Sequence, residues 1–214
     1  MAGVTITLRI QSHRGFRLAA DLLVPSGRGP FPAVVCTHDT LDDRGSPSNR
    51  QLAETLAGEG IAVMLLDLTG QGQSEGALEE GTPERQMEDV GAALEELERR
   101  AEIAMDRVGA YGAGTGALPV VLRADGDPRL RALVLRSPLS EGVFDAIRRV
   151  ALPTLLIVGA EDRTALEESI ALQETLAGEK RVAVVPEIDS RQGDLTYLQQ
   201  AAILAADWFK DHLR

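Results

Sequence analysis

Apolar and polar residues alternate from Val4 to Ile10 and again from Phe16 to Val24, with the turn His13-Arg14-Gly15 between them, which predicts a β-hairpin. After the loop Pro25–Pro30, Phe31–Thr37 is nearly all apolar, as a strand covered on both faces would be. His38–Gly45 is polar loop. Ser46 and Pro47 then have the chemistry of a helix cap and first position, for a helix to about Ala57 with Leu52, Ala53 and Leu56 on one face. Ile61–Leu68 is a second buried strand, followed by the glycine-rich loop Thr69–Gly76. Met87, Val90, Ala93, Leu94 and Leu97 recur at helical spacing and predict a long amphipathic helix from Pro83 to about Ile103. Four further apolar runs, Val108–Tyr111, Leu130–Leu135, Pro153–Gly159 and Arg181–Val185, read as strands. Between and after them, Ala117–Arg123, Ser140–Val150, Glu167–Leu176 and Leu195–His212 read as helices. A hairpin followed by strand–helix alternation predicts one α/β domain over residues 1–214, with an eight-stranded, mostly parallel sheet and helices on both faces. The connection Arg136–Leu152 is too short for a large lid domain.

Composition narrows the partners. The net charge is −11, from 33 acidic and 22 basic residues, and a nucleic acid or an anionic membrane would call for a basic patch instead. At 3% aromatic residues the chain is poorly equipped to stack on bases. No run is long and apolar enough for a membrane span. No signal peptide is evident at Met1–Thr7, and the single cysteine, Cys36, fits a reducing compartment, so the expectation is a cytoplasmic protein.

The candidate chemistry centres on Arg107–Ala117. A short apolar strand runs into Gly112, Gly114 and Gly116, and a helix follows. This is the layout of a nucleophile elbow, G-x-S-x-G, in which small residues two places either side of the centre let strand and helix nearly touch. The central position is Gly114, which tolerates a strained turn and carries no side chain that can attack anything.

Four stretches together resemble the α/β-hydrolase fold, in its small, lidless dienelactone-hydrolase-like form: Val34-Val-Cys-Thr-His38, Leu66–Gly76, Gly112–Ala117 and Pro153–Asp162. The resemblance covers the whole chain. It implies a serine, acid, histidine order along the sequence, which puts the nucleophile position at Gly114, the acid at Asp162 and the base near Ser190. Only Asp162 keeps the residue type the resemblance calls for. It also implies an oxyanion loop at His38, Asp39 and Thr40, where Asp39 stands in place of the usual glycine. Asp189 joins the pocket rim. Thr115 is expected to turn its side chain into the helix packing and to offer its backbone N–H as an oxyanion donor. His13, His38 and His212 are the only histidines, and none is placed to be the base; Cys36 lies in a covered strand and reads as a structural thiol.

The leading expectation is a catalytically silent homologue of ester and lactone hydrolases that holds a small molecule at the C-terminal ends of the strands, where open α/β sheets place ligands. Loss in a natural lineage and redesign of a natural hydrolase would both leave this pattern. The alternative is an active hydrolase with a non-standard apparatus, for instance water activated by Asp162 or Asp189. A third reading is NADP binding, from Gly112-x-Gly114-x-x-Ala117 with Arg136-Ser137 at the end of the next strand; the acidic residue expected about 20 residues on is missing. Asp39, Asp42, Asp43, Asp162 and Asp189 read as solvated loop charges before they read as ligands of a cation. No cofactor and no metal is expected, and the oligomeric state is open.

Overall fold

The computed structural model describes residues 3–40, 42–138, 141–175, 177–186 and 193–214. Strands β1 (Val4–Gln11), β2 (Arg17–Val24), β3 (Phe31–Thr37), β4 (Ala62–Leu66), β5 (Ile103–Ala113), β6 (Leu130–Arg136), β7 (Thr154–Gly159) and β8 (Lys180–Val185) form one sheet in the order β1-β2-β4-β3-β5-β6-β7-β8. Only β2 runs against its neighbours; every pairing from β4 to β8 is parallel. Helices α1 (Pro47–Gly58) and α6 (Gly193–His212) cover one face. The other face is covered by α2 (Pro83–Glu98), α3 (Ala117–Ala124), α4 (Glu141–Ile147) and α5 (Arg163–Thr175).

The all-apolar strands serve two cores at once, because successive side chains point to opposite faces. Along β3, Ala33 and Val35 enter the core under α2 and α3, while Val34 and Cys36 enter the core under α1 and α6. On β5, Val108 and Ala110 face the first and Tyr111 and Ala113 the second. Helix α1 starts where expected: Ser46 accepts the Asn49 N–H and Pro47 occupies the first position.

Several boundaries differ from the sequence expectation. Helix α2 stops at Glu98, with Arg99 at its cap, five residues before Ile103. The helical periodicity yields there to the sheet, since Ile103 pairs with Phe31 and β5 starts at that residue. Strand β4 ends at Leu66; the Asp67 N–H still donates to Ala19 of β2 at 2.9 Å, while its side chain serves the loops described below. Helix α5 starts four residues earlier than the expected Glu167, at Arg163, because Asp162 caps it: its carboxylate accepts the Ala165 N–H at 3.0 Å. No helix among the described residues is long and apolar enough to cross a membrane.

The last helix is seated on bare backbone. A Cβ on Gly109, in the middle of β5, would lie 2.5 Å from Cε1 of the buried Phe209 of α6. Gly109→Ala should therefore destabilise the protein by about 1–3 kcal/mol, as overpacking does. Phe209→Ala should cost about 3–5 kcal/mol, as an emptied aromatic site does. Urea unfolding measures both.

Candidate functional site

The site is assembled where β3 and β5 end side by side. Gly112 makes room for the helix that follows the bend, since a Cβ there would be 2.6 Å from Cα of Ala117. At the apex Gly114 has φ +55°, the left-handed conformation the elbow geometry demands, and a single 3-10 turn over Gly114–Gly116 leads into α3. Gly116 lets the turn press against the backbone of His38, where a side chain would collide. The Thr37 hydroxyl clamps the same contact by donating to the carbonyls of Gly116, at 2.8 Å, and Tyr111, at 3.2 Å.

These contacts lay Asp39 over the apex. A Cβ on Gly114 would overlap the Asp39 carboxylate, which thus occupies the space a nucleophile's side chain would take. Oδ1 of Asp39 accepts the Thr40 N–H at 2.6 Å and the Thr115 hydroxyl at 3.1 Å. Thr115 Oγ1 also accepts the Thr40 N–H at 2.9 Å and lies 2.7 Å from Thr40 Oγ1. Thr115 is exposed, with its side chain on the outer side of the 3-10 turn. That corrects the expectation that it points into the helix packing, and its hydroxyl is what the cleft sees.

His38 lies beneath the rim, with its side chain only 2% exposed. Its Nδ1 bonds the Asp39 carbonyl at 2.8 Å, and its Nε2 is 3.4 Å from Oδ1 of Asp67. Asp67 is fully buried. It accepts the backbone N–H groups of Arg44 at 2.7 Å and Gln73 at 2.8 Å, and it pairs closely with the Arg44 guanidinium. The network continues through Arg44 Nε to Asp21 at 3.3 Å, and Asp21 is also held by Thr7 at 2.8 Å and Arg50 at 3.0 Å. Asp67 opens the glycine-rich stretch Leu66–Gly76 that carries the family resemblance, whereas Asp21 and Arg44 do not stand out in the sequence. The available signal was a carboxylate closing the apolar run Ile61–Leu68, since a charge in such a place needs a partner.

The other predicted residues are scattered. Asp162 is exposed and spends one carboxylate oxygen on its helix cap. Ser190 and Asp189 lie outside the described residues. His13 bonds Glu95 at 3.0 Å and His212 bonds Trp208 at 2.8 Å, and among the described residues no imidazole bonds a hydroxyl or thiol. Arg136 turns to the Tyr111 hydroxyl, at 2.8 Å. Cys36 is buried and free, and burial pushes its thiol pKa up. Among the described residues no group of three or more His, Cys, Asp or Glu side chains is arranged to hold a metal ion.

The comparisons with known proteins agree with this fold. Residues 14–148 match the family model of the X-Pro dipeptidyl-peptidase (S15 family). The chain belongs to this α/β-hydrolase family. The dienelactone hydrolase of Anabaena variabilis superposes on it with a TM-score of 0.84, at 25% identity, over 100% of both chains. A protein of Mycobacterium tuberculosis named as a phosphoribosyl transferase is 34% identical over 210 residues, which is 92% of this chain and 44% of the relative. A thiohydrolase of Aspergillus aculeatus is 31% identical over 153 residues, covering 71% of this chain and 46% of the relative. The chain thus spans less than half the length of both relatives.

Two predictions follow from the packing around Asp39 and Asp67. Gly114→Ser alone should lower stability by about 1–3 kcal/mol, a few degrees of Tm, because the new Cβ meets Asp39 in a left-handed backbone. Adding Asp39→Gly should recover most of the loss in thermal unfolding. The second concerns pH. Burial raises the Asp67 pKa, but the nearby His38 imidazole, the N–H groups of Gln73 and Arg44 and the Arg44 guanidinium outweigh it and hold the carboxyl at about 2 against an ordinary 3.8. Ionised Asp67 therefore stabilises the fold above pH 3.8, and that contribution drains away as the pH falls towards 2. Burial lowers the His38 pKa, but the neighbouring Asp67 charge and the bond to the Asp39 carbonyl raise it above 6.5 overall, so its contribution is held below that value and lost as the pH rises through the folded one. Asp67→Asn should cost about 3–5 kcal/mol by removing the closest counter-charge of the buried Arg44, which keeps only its longer contact with Asp21. It should also flatten the acid limb of urea-unfolding stability against pH.

Proposed function

We propose that this protein holds a small molecule in the cleft at its elbow and does not hydrolyse esters through a covalent serine route. The observation that carries the reading is the Asp39 carboxylate lying over Gly114. It fills the nucleophile's place, and it takes the Thr40 N–H, a donor from the oxyanion loop. A carboxylate there opposes the negative charge that develops on an acyl oxygen. A dipeptidyl-peptidase or lactone-hydrolase reaction of the serine type would need an attacking atom at Gly114 and an anion hole free of Asp39. The phosphoribosyl transfer in the relative's name belongs to a protein more than twice as long as the matched stretch and is not carried over. A cytoplasmic setting is part of the same proposal, supported by the lone buried thiol.

A second reading is favoured by the dienelactone hydrolase and the thiohydrolase among the similar proteins, and by the 3.1 Å contact of Asp39 with the Thr115 hydroxyl. Here Asp39 would act as a general base, with an acceleration of only ~10²–10⁴-fold.

Assays with p-nitrophenyl acetate and dihydrocoumarin, alongside a fluorophosphonate probe, separate the two. The proposal expects background rates and no labelling. Turnover that is lost in Asp39→Asn or Thr115→Val would establish the second reading and end the first.

A further inference from the structure

Resting on that binding reading for the place of the ligand, we infer that the molecule held beside the elbow docks through an oxyanion group, a carboxylate or a phosphate, on Arg136. Arg136 is the last residue of β6 and pairs in register with Ala113, the residue before the apex Gly114. Earlier on the same strand, Ala132 and Val134 enter the core under α1 and α6, so by alternation the Arg136 side chain leaves the strand on that face. There its Nε donates to the Tyr111 hydroxyl at 2.8 Å, and the Tyr197 phenol of α6 is drawn close to the same guanidinium.

What this guanidinium lacks is a counter-charge. Of the described arginines that are at least partly buried, Arg44, Arg85, Arg100, Arg107, Arg123 and Arg129 each have a carboxylate within ion-pairing reach. Arg136 has none among the described residues. Burial pushes the Tyr111 phenol above its ordinary pKa, so at neutral pH it is an uncharged hydrogen-bond partner and cancels nothing. A cation half out of water with only neutral partners is the setting in which an oxyanion gains most, through charge-assisted bonds. The Nε is engaged by Tyr111 and the side chain is only partly buried, so the fork of the two Nη groups stays open to a ligand.

Two hydroxyls stand beside it. Ser137 Oγ and Tyr197 Oη are 3.4 Å apart, a separation at which either O–H is free to turn to a better acceptor. Ser137 is also the one non-glycine residue among those described with a left-handed backbone, φ +44°, a conformation that side chains rarely adopt and that concentrates at ligand sites. Its N–H donates to the Ile157 carbonyl at 2.8 Å, which holds the chain in that turn. Glycine would take the turn without strain, and serine adds a hydroxyl next to the uncompensated cation. The net charge of −11 repels an anion at long range, so affinity has to come from these contacts.

Benzoate and phenyl phosphate are the probes, with benzyl alcohol as the uncharged control, read on the full chain by the Arg136 Nε–H resonance and by thermal shift. At least one oxyanion should bind saturably, with an affinity on the order of millimolar, and should move that resonance. The tighter of the two distinguishes a carboxylate ligand from a phosphate one. Arg136→Gln should weaken binding by roughly tenfold or more, the worth of hydrogen bonds from a charged group. Arg136→Lys keeps the charge, loses the planar fork and should recover only part of the loss. Ser137→Gly should weaken binding by about a few-fold yet leave the unfolding midpoint nearly unchanged, since relief of the strained turn offsets the looser unfolded chain. Neither oxyanion moving the resonance, or both binding Arg136→Gln as tightly as the parent, overturns the inference. Benzyl alcohol binding as tightly as the oxyanions also overturns it and leaves the binding reading standing. Turnover of activated esters through Asp39, with the oxyanions still titrating Arg136, ends the binding reading and keeps the anion site.

Discussion

The Asp67–Arg44 pair is the constraint on which the site depends. Asp67 leaves the end of β4 inside a fully apolar setting, and a carboxylate there persists only if donors converge on it. Those donors come from two separate loops, Arg44 from the one after β3 and Gln73 from the one after β4, so the charge ties them together over the sheet edge. His38 adds a third tether and passes the restraint directly to the Asp39 carbonyl. Gly72 belongs to the same arrangement, since a side chain at that position would overlap the Asp67 carboxylate. What the sequence shows as a glycine-rich loop is, in these terms, backbone drawn close to a buried charge.

The succession of strands and helices and the cover on both faces of the sheet were readable because apolar runs and helical spacing each have one cheap explanation. Val34 and Cys36 on one side of β3, and Ala33 and Val35 on the other, leave no solvent face, and the unbroken apolar run said as much. Spacing failed where two elements compete for the same residues. Arg99 to Ile103 continues the helical rhythm of α2, yet Ile103 gains more in the sheet against Phe31. The site was legible as backbone and less so as side chains. Gly112, Gly114 and Gly116 announce the bend, but nothing local says that Thr115 faces outward or that Asp39 lies over the apex, because both follow from contacts between residues about 75 positions apart.

The same contacts give the fold a self-contained anion site. In the α/β-hydrolase family to which the chain belongs, the bend after β5 and the loop after β3 bring N–H groups towards one point. Here Asp39 answers one of them from within the chain. The architecture keeps its donors and supplies its own acceptor.

The contact between Gly109 and Phe209 bears on the order of assembly. The strand that carries the bend lies at the centre of the sheet, and one of its faces is closed by a ring contributed about a hundred residues later in the chain. During synthesis that face remains open to water until the closing helix has emerged. The interval is long enough to expose a sticky β surface to neighbouring nascent chains. A protein built this way gains a dry centre only once α6 has packed, and loss of that helix would leave the central strand short of cover on one side.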